Sequence, residues 1–463
     1  MPYSNGIIPS RLGLQPARII LMRLLGALAL CFALFGTPVA YAAEVGPAGN
    51  MQSEGKPMSL RVLLSAHLPR LTIGCDTAIT VSKPDGNTFG KLIPPVTVAV
   101  AAAQIAVSDV SGNFSDTELE LAPEQDGLLR LQNTSYRGVM RLRVSSRGGV
   151  LLLNVVDIEG YLRGVVPAEM PALWSPEAVK AQAVAARTYA VQRAGIRKNA
   201  LYDVTADVSD QVYLGVAKEH PASDGAIAET AGLIITYNSD PIIAYYHACS
   251  GGHTRDGPQP YLVGVESPEN SPYDTWQLEY TLEELSGILE KNGFAVGSLM
   301  DVQTVPAPEV RDGFRVVFAG SRARMELTAP QTRSLLGVDT LRSPRFRIEL
   351  VGGEAGGLVE LQQWMRTTLM SAEDETEVKV RGCVVTNGRK ARRLTGTHYV
   401  LARVQQVEKV RFAGGGYGHG LGMSQYGAKY MAEQGATWRE IIHHYYSGVE
   451  ISHLSEIGRM PGF

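Results

Sequence analysis

An alanine-dense segment with a clear beginning and end constrains the fold of this chain more than any other stretch of the sequence. In "SPEAVKAQAVAARTYAVQRAG", Ser175 is a suitable N-cap, Pro176 fits the first helical position and Glu177 favours the positive end of a helix. Gly195 is typical of the position that follows the end of a helix. The pattern predicts a helix from about Pro176 to Ala194, whose small side chains allow neighbouring elements to approach closely.

Short apolar runs separated by turn signals flank this helix. Those before it are "LRVLL", "PVTVAVAAAQIAV", "VMRLRVSS" and "GVLLLNVVDI", and those after it are "GLIITYN", "PIIAYYHA", "FRVVFAG" and "RMELTAP". Further helices are indicated by "TLEELSGILEKNG" and by a capping box of Thr437 and Glu440 before "WREIIHHYYS". The sequence predicts an α+β fold in which a mixed, β-rich core carries the long Ala-rich helix. We expect a second, smaller lobe, built from the N-terminal strands or from a late insertion.

The N-terminal residues 1–43 have the pattern of a secretory signal peptide. Arg11, Arg18 and Arg23 precede the apolar run "LLGALALCFALFGTPVAYAA", which ends in small residues suited to cleavage. The alternative is a membrane anchor, but the run is shorter than the roughly 20 residues that a spanning helix needs. We therefore expect cleavage, no transmembrane span in the mature chain, and an extracytoplasmic location in the periplasm or the cell wall.

Composition divides the remaining chain into a linker, one large domain and a tail. Residues 44–58 are rich in Gly, Ser and Pro, residues 59–450 carry the strand and helix patterns, and residues 451–463 are interpreted as a C-terminal tail. Within the domain, the segment at about 352–398 contains "GGEAGG" and the acidic "AEDETE". We interpret this irregular segment as an insertion or a small subdomain.

The balance of charge argues against nucleic acid as a partner. Lys and Arg total 43 against 46 Asp and Glu, and no run of like charges is present. Three cysteines follow the signal segment, Cys75, Cys249 and Cys383, so at least one thiol has no intramolecular partner. The chain is therefore not a disulfide-stapled scaffold. The balance of charge makes a neutral polymer or a small molecule the better candidate ligand.

One carboxylate, Glu169, has unusually apolar sequence neighbours. Pro171 disfavours helical geometry at Met170, so we expect Glu169 on a turn that precedes the long helix. Apolar surroundings disfavour the charged form, and a glutamate that stays protonated near neutral pH is suited to general acid catalysis. The alternative is an ordinary exposed glutamate in a turn. The apolar neighbours of Glu169 are Val165, Val166, Met170 and Trp174.

Two other groups of side chains are candidates for binding. Lys180 and Arg187 lie on one face of the predicted helix, either as substrate contacts or as solvated charges. The segment "YYHACSGGHT" places His247, Cys249 and His253 close together, and imidazole and thiolate are ligands that zinc prefers. Three ligands are fewer than the four of a structural zinc site. The alternative is a polar turn in which Cys249 is buried or is paired with Cys75 or Cys383.

The glycine-rich segment "VRFAGGGYGHGLGM" passes from a strand pattern into a helix pattern, as a dinucleotide-binding loop does. The spacing excludes that motif, because Leu421 and Met423 stand where its last glycine would be required. We expect the glycines to allow a sharp bend or a close approach of the backbone to a ligand. His419, Ser424 and Gln425 then supply polar groups at the beginning of the following helix.

Three motifs in a fixed order resemble those of the stage II sporulation protein D/LytB family. They are "GVVPAEMPALWSPEAVKAQAVAARTYAV", "SDQVY" at Ser209 to Tyr213, and "GGGYGHGLGMSQYGAKYMAEQG" at Gly414 to Gly435, and the similarity extends from about Leu60 to Glu450. The resemblance implies a lytic transglycosylase. Such an enzyme cleaves peptidoglycan between N-acetylmuramic acid and N-acetylglucosamine, on strands stripped of their stem peptides, and leaves 1,6-anhydro ends.

The resemblance also implies roles for individual residues. Glu169, in the "EMP" motif, would be the catalytic acid, and a glycan would lie in a groove between the two lobes. Some relatives hold zinc near this groove, which would place a structural zinc ion on His247, Cys249 and His253, although the activity requires no cofactor. The groove would be lined by Lys180, Arg187, Gln211, Tyr213, His419, Ser424 and Gln425.

A single carboxylate is sufficient for this reaction. Most glycosidases need two, whereas one glutamate can protonate the glycosidic oxygen and then accept the proton of the sugar's own 6-hydroxyl. Possible second carboxylates are Asp157, Glu159, Glu177, Asp203, Asp207 and Asp210. Two alternative functions stay open, a plain muramidase and a non-catalytic cell-wall-binding protein that stimulates an amidase. Peptidoglycan glycan strands are the expected partner in each case, and an amidase is a further one.

Overall fold

A computed structural model describes residues 58–309, 312–355, 377–380, 384–386, 391–393, 398–401 and 404–457. The predicted signal peptide at 1–43 and the linker up to residue 57 lie outside the described residues. So does most of the predicted insertion at 352–398, including Cys383.

The strands before the Ala-rich helix form two antiparallel sheets that share one hydrophobic core. In one sheet the order is β4-β3-β8-β11-β12-β1-β13, with β13 parallel to β1, and in the other it is β10-β9-β2-β5-β6-β7. Alternate side chains of each strand point into the core, as the pattern of short apolar runs predicts. The strands are β1 (Ser59–Leu68), β2 (Arg70–Gly74), β3 (Ile79–Ser82), β4 (Thr88–Leu92), β5 (Val96–Ala101), β6 (Gln104–Ser108), β7 (Asn113–Asp116), β8 (Glu118–Pro123), β9 (Leu129–Leu131), β10 (Thr134–Tyr136), β11 (Val139–Val144), β12 (Val150–Asp157) and β13 (Val204–Thr205).

Helices pack against these sheets and extend the same core. The Ala-rich helix is confirmed, and its side chains from Ala181 to Val191 are all buried, so other elements surround it. In this part of the chain the elements are α1 (Ile158–Glu169), α2 (Pro176–Ile196), a 3-10 helix (Gly215–Lys218), α3 (Pro221–Glu229), β14 (Leu233–Tyr237), β15 (Asp240–Pro241), β16 (Tyr246–His247), β17 (Gly252–His253) and β18 (Glu266–Ser267).

The ends of α2 differ in detail from the prediction. Ser175 occupies the N-cap position, but its side chain makes no capping hydrogen bond. Glu177 instead accepts a hydrogen bond at 2.8 Å from the backbone N–H of Trp438, which ties the first turn of α2 to a later helix. At the other end the helix continues through Gly195 to Ile196, because Arg197 N–H still bonds to Arg193 O. The predicted stop at Gly195 is therefore wrong by one to two residues.

Helix α1 was not predicted, and it changes the setting of Glu169. Asp157 caps it by accepting a hydrogen bond from Gly160 N–H, and the helix includes Pro167. Met170 is extended, with φ −136° and ψ 134°, as Pro171 requires. Glu169 is thus the last residue of a helix, not a residue of the turn before α2.

A second hydrophobic core lies in the chain between Trp276 and Phe346, completed by Val410 and Phe412. The expectation that the N-terminal strands supply the second lobe is therefore wrong, because those strands share their core with the helices. The α+β class is confirmed, as is the helix predicted in "TLEELSGILEKNG". Elements of this part are β19 (Trp276–Tyr280), α4 (Leu282–Lys291), β20 (Leu299–Pro306), β21 (Phe314–Gly320), β22 (Arg324–Thr328), α5 (Ala329–Leu336), β23 (Phe346–Ala355), β24 (Glu377–Val380), β25 (Val384–Thr386), β26 (Ala391–Arg393), β27 (His398–Leu401) and β28 (Val404–Gly414).

After β28 the chain returns to the first core. The capping box of Thr437 and Glu440 begins α7, as predicted. The predicted tail at 451–463 begins too early, since β30 pairs with β14 and α8 follows it. The elements are β29 (Met423–Ser424), α6 (Gln425–Glu433), α7 (Trp438–Tyr445), β30 (Glu450–His453) and α8 (Leu454–Ile457). Within the described ranges, no helix is both long and apolar enough to cross a membrane.

Lys180 and Arg187, which the helical spacing places on one face, have different environments. The Arg187 side chain is 0% exposed and donates to both carboxylate oxygens of Glu159, at 2.9 and 2.7 Å. It also donates to the backbone carbonyl of Leu233 at 3.1 Å. The predicted substrate contact of Arg187 is therefore wrong, because its guanidinium joins α1, α2 and the start of β14. Lys180 forms ion pairs at 2.9 and 2.6 Å with Glu177 and Glu229 near the surface.

Arg187→Met should lower the free energy of unfolding by about 3 kcal/mol, because it removes a buried cation from its ion pair and leaves Glu159 with the backbone N–H of Gly232 as its donor. Lys180→Met is the matched control on the same helix face. Its ion pairs are partly exposed, so we expect a loss of less than about 1 kcal/mol. Urea unfolding followed by circular dichroism measures both, and equal losses would contradict the buried role of Arg187.

Candidate functional site

The carboxyl group of Glu169 is half-buried at the end of α1 and has two hydrogen-bond donors. The backbone N–H of Val212 donates to Glu169 Oε1 at 2.8 Å, and the hydroxyl of Tyr246 is the second donor. Burial raises the pKa of Glu169, while the two hydrogen bonds oppose that rise. The group therefore keeps its proton to higher pH than an exposed glutamate, and both donors stabilise the carboxylate once the proton leaves.

Gln211, from the "SDQVY" motif, lies behind Tyr246. Its amide donates to the Tyr246 hydroxyl at 3.0 Å and to Ala186 O at 3.2 Å, and its oxygen accepts from the Tyr161 hydroxyl at 3.2 Å. The side chain is only 1% exposed. Gln211 therefore does not contact substrate directly, contrary to the prediction. Its role is indirect, because it orients Tyr246, which contacts Glu169.

Tyr213, from the same motif, belongs to the hydrophobic core. Its hydroxyl donates to Asn154 Oδ1 at 2.9 Å, and its ring packs against Tyr136 and Tyr161, with centroids 5.8 and 5.0 Å away. It is 3% exposed. A substrate contact for Tyr213 is therefore wrong, because both its ring and its hydroxyl are used inside the protein.

The glycine-rich segment 414–422 lies directly against residues 245–251. Strands β16 and β29 pair in parallel, and Cys249 exchanges backbone hydrogen bonds with Tyr417 at 3.0 and 2.7 Å. Gly416, Gly418 and Gly422 have left-handed φ values of 88°, 120° and 66°. An added Cβ at these positions would meet Cys249 O, the Cβ of His247 and Tyr245 O, respectively. These glycines let two segments of the protein approach each other.

Three polar residues of this region have internal partners. Ser424 is fully buried and caps α6 by accepting from Gly427 N–H at 3.2 Å. Gln425 is also buried, and its amide donates to Gln182 at 3.4 Å. The predicted substrate contacts of Ser424 and Gln425 are therefore wrong, because Ser424 caps α6 and Gln425 links α6 to α2 inside the protein. His419 is half-buried, and its predicted contact with substrate stays a prediction.

The imidazoles of His247 and His419 are neighbours, with ring centroids 5.5 Å apart. Burial lowers the pKa of His247 to about 3 and that of His419 to about 4, so both rings are neutral at physiological pH. His247 Nδ1 bonds to Leu421 O at 3.1 Å, and His419 Nδ1 accepts from Leu421 N–H at 3.0 Å. The two rings thus hold the turn before β29 in place.

The predicted zinc ligands do not converge. His247 faces the glycine-rich segment, while His253 lies beyond Gly251 and Gly252 in the exposed strand β17, with Nδ1 at 2.6 Å from Thr254 O. The three side chains are not among the groups whose ligand atoms lie within 4.8 Å of one another in the described residues, and the zinc site stays a prediction. Cys75 and Cys249 are both free, and Cys249 is buried, as the alternative interpretation expected.

A different trio, Cys249, Glu269 and Asp274, brings three potential ligand atoms within 4.8 Å of one another. Glu269 already accepts from Ser250 N–H at 3.0 Å and from the Ser267 hydroxyl at 2.8 Å. Burial, together with Glu269, raises the pKa of the Cys249 thiol to about 12, so the sulfur stays protonated. The two serines thus give Glu269 hydrogen-bond partners within the protein.

The six carboxylates that were possible partners of Glu169 in catalysis all have other partners. None of the six carboxylates forms a hydrogen bond with Glu169, Val212 N–H or Tyr246. Within the described residues, Glu169 is the one carboxylate to which both Val212 N–H and the Tyr246 hydroxyl donate. The partners are Gly160 N–H for Asp157, Arg187 for Glu159, Lys180 and Trp438 N–H for Glu177, Arg61 for Asp203, Thr205 and Ser209 N–H for Asp207, and Arg193 with Arg197 for Asp210.

Sequence reasoning missed Tyr246, the side chain that contacts Glu169 most directly. Tyr246 stands in the run "PIIAYYHA", which was interpreted as a continuous strand. In the structure that run contains the ends of β15 and β16, with irregular backbone between them. The signal that might have identified it is a tyrosine pair directly before the polar segment "HACSGG".

Gly422→Ala should lower the free energy of unfolding by about 3 kcal/mol or more, because it combines a left-handed backbone with a steric clash against Tyr245 O. Gly435→Ala is the matched control, since Gly435 also has a positive φ, 95°, but no heavy atom within 4 Å of an added Cβ. We expect a loss of about 1–2 kcal/mol there. Thermal or urea unfolding distinguishes the two, and equal losses would show that the close packing at Gly422 is not needed.

Comparisons with known proteins agree with the three motifs. The family model described as stage II sporulation protein (SpoIID) matches residues 146–237, which include α1, α2 and the "SDQVY" motif. The stage II sporulation protein D of Bacillus amyloliquefaciens is 29% identical over 320 residues, covering 64% of this chain and 74% of that protein. Its counterpart in Bacillus subtilis (strain 168) is 28% identical over 318 residues, covering 64% and 75%.

A second kind of relative carries a different name. The amidase enhancer of Bacillus subtilis (strain 168) is 28% identical over 303 residues, or 63% of this chain. The chain spans 40% of the length of that protein. The names of these relatives support a role related to the cell wall. The domain match and the relatives support the resemblance of this chain to the stage II sporulation protein D/LytB family.

Proposed function

We propose that this protein is a peptidoglycan lytic transglycosylase that acts outside the cytoplasm and uses Glu169 as its single acid and base. It would cleave the bond between N-acetylmuramic acid and N-acetylglucosamine in peptide-stripped strands. The observation that carries the proposal is a half-buried carboxyl group with a raised pKa and two hydrogen-bond donors. No second carboxylate among the described residues shares those donors.

The first step is proton transfer from Glu169 to the glycosidic oxygen. The bond between that oxygen and C1 of the muramyl residue then breaks, and positive charge develops at C1. Loss of its proton converts Glu169 into a carboxylate, and Val212 N–H and the Tyr246 hydroxyl stabilise this carboxylate by hydrogen bonds. Because these donors are already in place, little rearrangement is needed when the charge forms.

In the second step the same carboxylate accepts the proton of the muramyl 6-hydroxyl as O6 attacks C1. A 1,6-anhydro ring forms, and Glu169 is protonated again for the next cycle. No water is consumed, because the bond that breaks at C1 is replaced by an intramolecular bond. A muramidase would instead need a second carboxylate to activate water or to act as nucleophile.

A non-catalytic role is the second candidate function, and the name of one relative, amidase enhancer, favours it. In that case the protein would bind cell-wall glycan and stimulate an amidase. An assay of amidase activity with and without added protein tests this candidate. Stimulation by both the native chain and Glu169→Gln, without any release of anhydro products, would favour it over the transglycosylase.

Glu169→Gln should reduce the release of anhydro-muramyl products by at least about 100-fold, because glutamine has no proton to donate. Purified protein is incubated with amidase-treated peptidoglycan, and the products are identified by mass spectrometry. Glu177→Gln is the matched control, since Glu177 pairs with Lys180 and Trp438 N–H and should keep nearly full activity. Equal activity of the native chain and Glu169→Gln would refute the assigned role.

The pH profile of kcat/KM tests the protonation state of Glu169. Activity should fall as pH rises through the raised pKa of Glu169, because the acid form is lost. Tyr246→Phe removes a hydrogen bond that lowers this pKa, so the alkaline limb of the profile should move to higher pH. Tyr213→Phe is the control, since its hydroxyl bonds to Asn154 and should leave the limb unchanged. A limb that both variants leave in place would argue against titration of Glu169.

A further inference from the structure

Four half-exposed aromatic side chains form a continuous row that no assigned role explains. Trp174 and Tyr426 are 4.9 Å apart between ring centroids, Tyr426 and Tyr273 are 5.9 Å apart, and Tyr273 and Tyr417 are 5.0 Å apart. All four are neither buried nor fully exposed. We refer to Trp174, Tyr426, Tyr273 and Tyr417 as the aromatic row.

The segment whose Tyr246 side chain contacts Glu169 also holds two rings of the aromatic row. Tyr246 bonds to Glu169, Ala248 O accepts from Tyr426 N–H at 3.0 Å, and Cys249 pairs with Tyr417. Residues 246–249 therefore anchor the acid and two of the four rings within three residues, or about 10 Å of extended chain. Trp174 follows Glu169 by five positions, so the row begins close to the acid in sequence as well.

The row also connects the two hydrophobic cores. Trp174 packs against the first core and Tyr426 lies in α6, whereas Tyr273 precedes β19 and Tyr417 follows β28. The Tyr417 hydroxyl donates to Asp339 at 3.1 Å, in the segment between α5 and β23. An extended ligand that follows the rings from Trp174 to Tyr417 would therefore pass from the first lobe to the second.

Two cations accompany the rings. Lys429 Nζ lies 5.8 Å from the centre of Trp174 and also pairs with Glu433 at 2.7 Å, and the Arg342 guanidinium lies 5.8 Å from the centre of Tyr273. Both side chains are partly exposed. A cation beside a half-exposed ring suits a ligand that combines an apolar face with a negative charge.

We propose that the aromatic row is the platform on which the glycan strand binds, with Arg342 and Lys429 as the groups that attract its carboxylates. A pyranose ring offers a face of C–H groups with partial positive charge, which packs favourably against the negative face of an aromatic ring. Several rings in a row suit a polymer better than a single sugar. The lactyl carboxylates of peptide-free muramyl residues supply the charge. This inference rests on the proposed function and names the residues that would bind its substrate.

Binding is measured in a Glu169→Gln background, which leaves the strand intact. The probes are peptide-free glycan strands, prepared by amidase treatment of peptidoglycan, and neutral oligosaccharides of N-acetylglucosamine. Tyr273→Ala and Tyr426→Ala should each weaken binding of both probes by about tenfold or more. Arg342→Met should weaken binding of the peptide-free strands and leave the neutral oligosaccharides unaffected. Co-sedimentation and tryptophan fluorescence report the affinities, and circular dichroism confirms that each variant is folded.

Phe89→Ala is the matched control. Phe89 is also an exposed ring with an aromatic neighbour, Phe114 at 6.0 Å, and a cation, Lys83 at 5.9 Å, but it lies in the N-terminal sheets. The Phe89→Ala variant should bind both probes with the affinity of the parent protein. Folded Tyr273→Ala and Tyr426→Ala variants with parental affinity would overturn the platform, as would a parent that binds neither probe. Native protein that binds through the row but releases no anhydro product would support the platform and refute the proposed cleavage.

Discussion

The close contact between residues 245–251 and the glycine-rich segment 414–422 organises this part of the molecule. It requires glycine where the two backbones meet, because a Cβ at Gly422 would overlap Tyr245 O. The same contact fixes Tyr246 against Glu169 and Tyr417 against Cys249. Two segments that are more than 160 residues apart in sequence thus form one unit. The motif that contains Glu169 and the glycine-rich motif at 414–435 are therefore both needed to hold the carboxyl group of Glu169 in place.

The chemistry of Glu169 depends on a balance between two opposing effects. Burial disfavours the carboxylate, and hydrogen bonds from Val212 N–H and Tyr246 favour it. A group that was only buried would hold its proton too tightly to release it, and a group with only donors would be ionised before the substrate arrived. The structure combines both in one side chain at the end of a helix, with Gln211 orienting one of the donors.

Local signals in the sequence predicted the parts of the fold that local forces determine. The Ala-rich helix, the capping box of Thr437 and Glu440, and strands such as β1, β11 and β12 were predicted because propensity, caps and apolar spacing all point to the same element. Helix α1 was missed because "GVLLLNVVDI" predicts a strand that runs directly into it, and because Pro167 argues against a helix. The hairpin between β5 and β6 was hidden because its turn residues, Ala102 and Ala103, have positive φ values that alanine rarely adopts.

The candidate site was predicted in part, for reasons that are also physical. Apolar neighbours drew attention to Glu169, and the family resemblance supplied its predicted role as the acid; burial does raise its pKa. Arg187, Tyr213, Ser424 and Gln425 were assigned to substrate from their position in motifs, but a motif does not distinguish a polar residue that faces a ligand from one that satisfies the interior. Burial and long-range pairing make that distinction, and neither can be obtained from spacing along the chain.

Helix α1 carries a buried ion pair in its first turn, through Glu159, and the acid at its last residue. The two lie ten positions apart along the helix, or about 15 Å. A slight rotation of α1 at its first turn, where Glu159 lies, would displace the carboxyl group of Glu169 sideways. Because the proposed proton transfer tolerates little misalignment, the ion pair of Glu159 would contribute to it without touching the sugar.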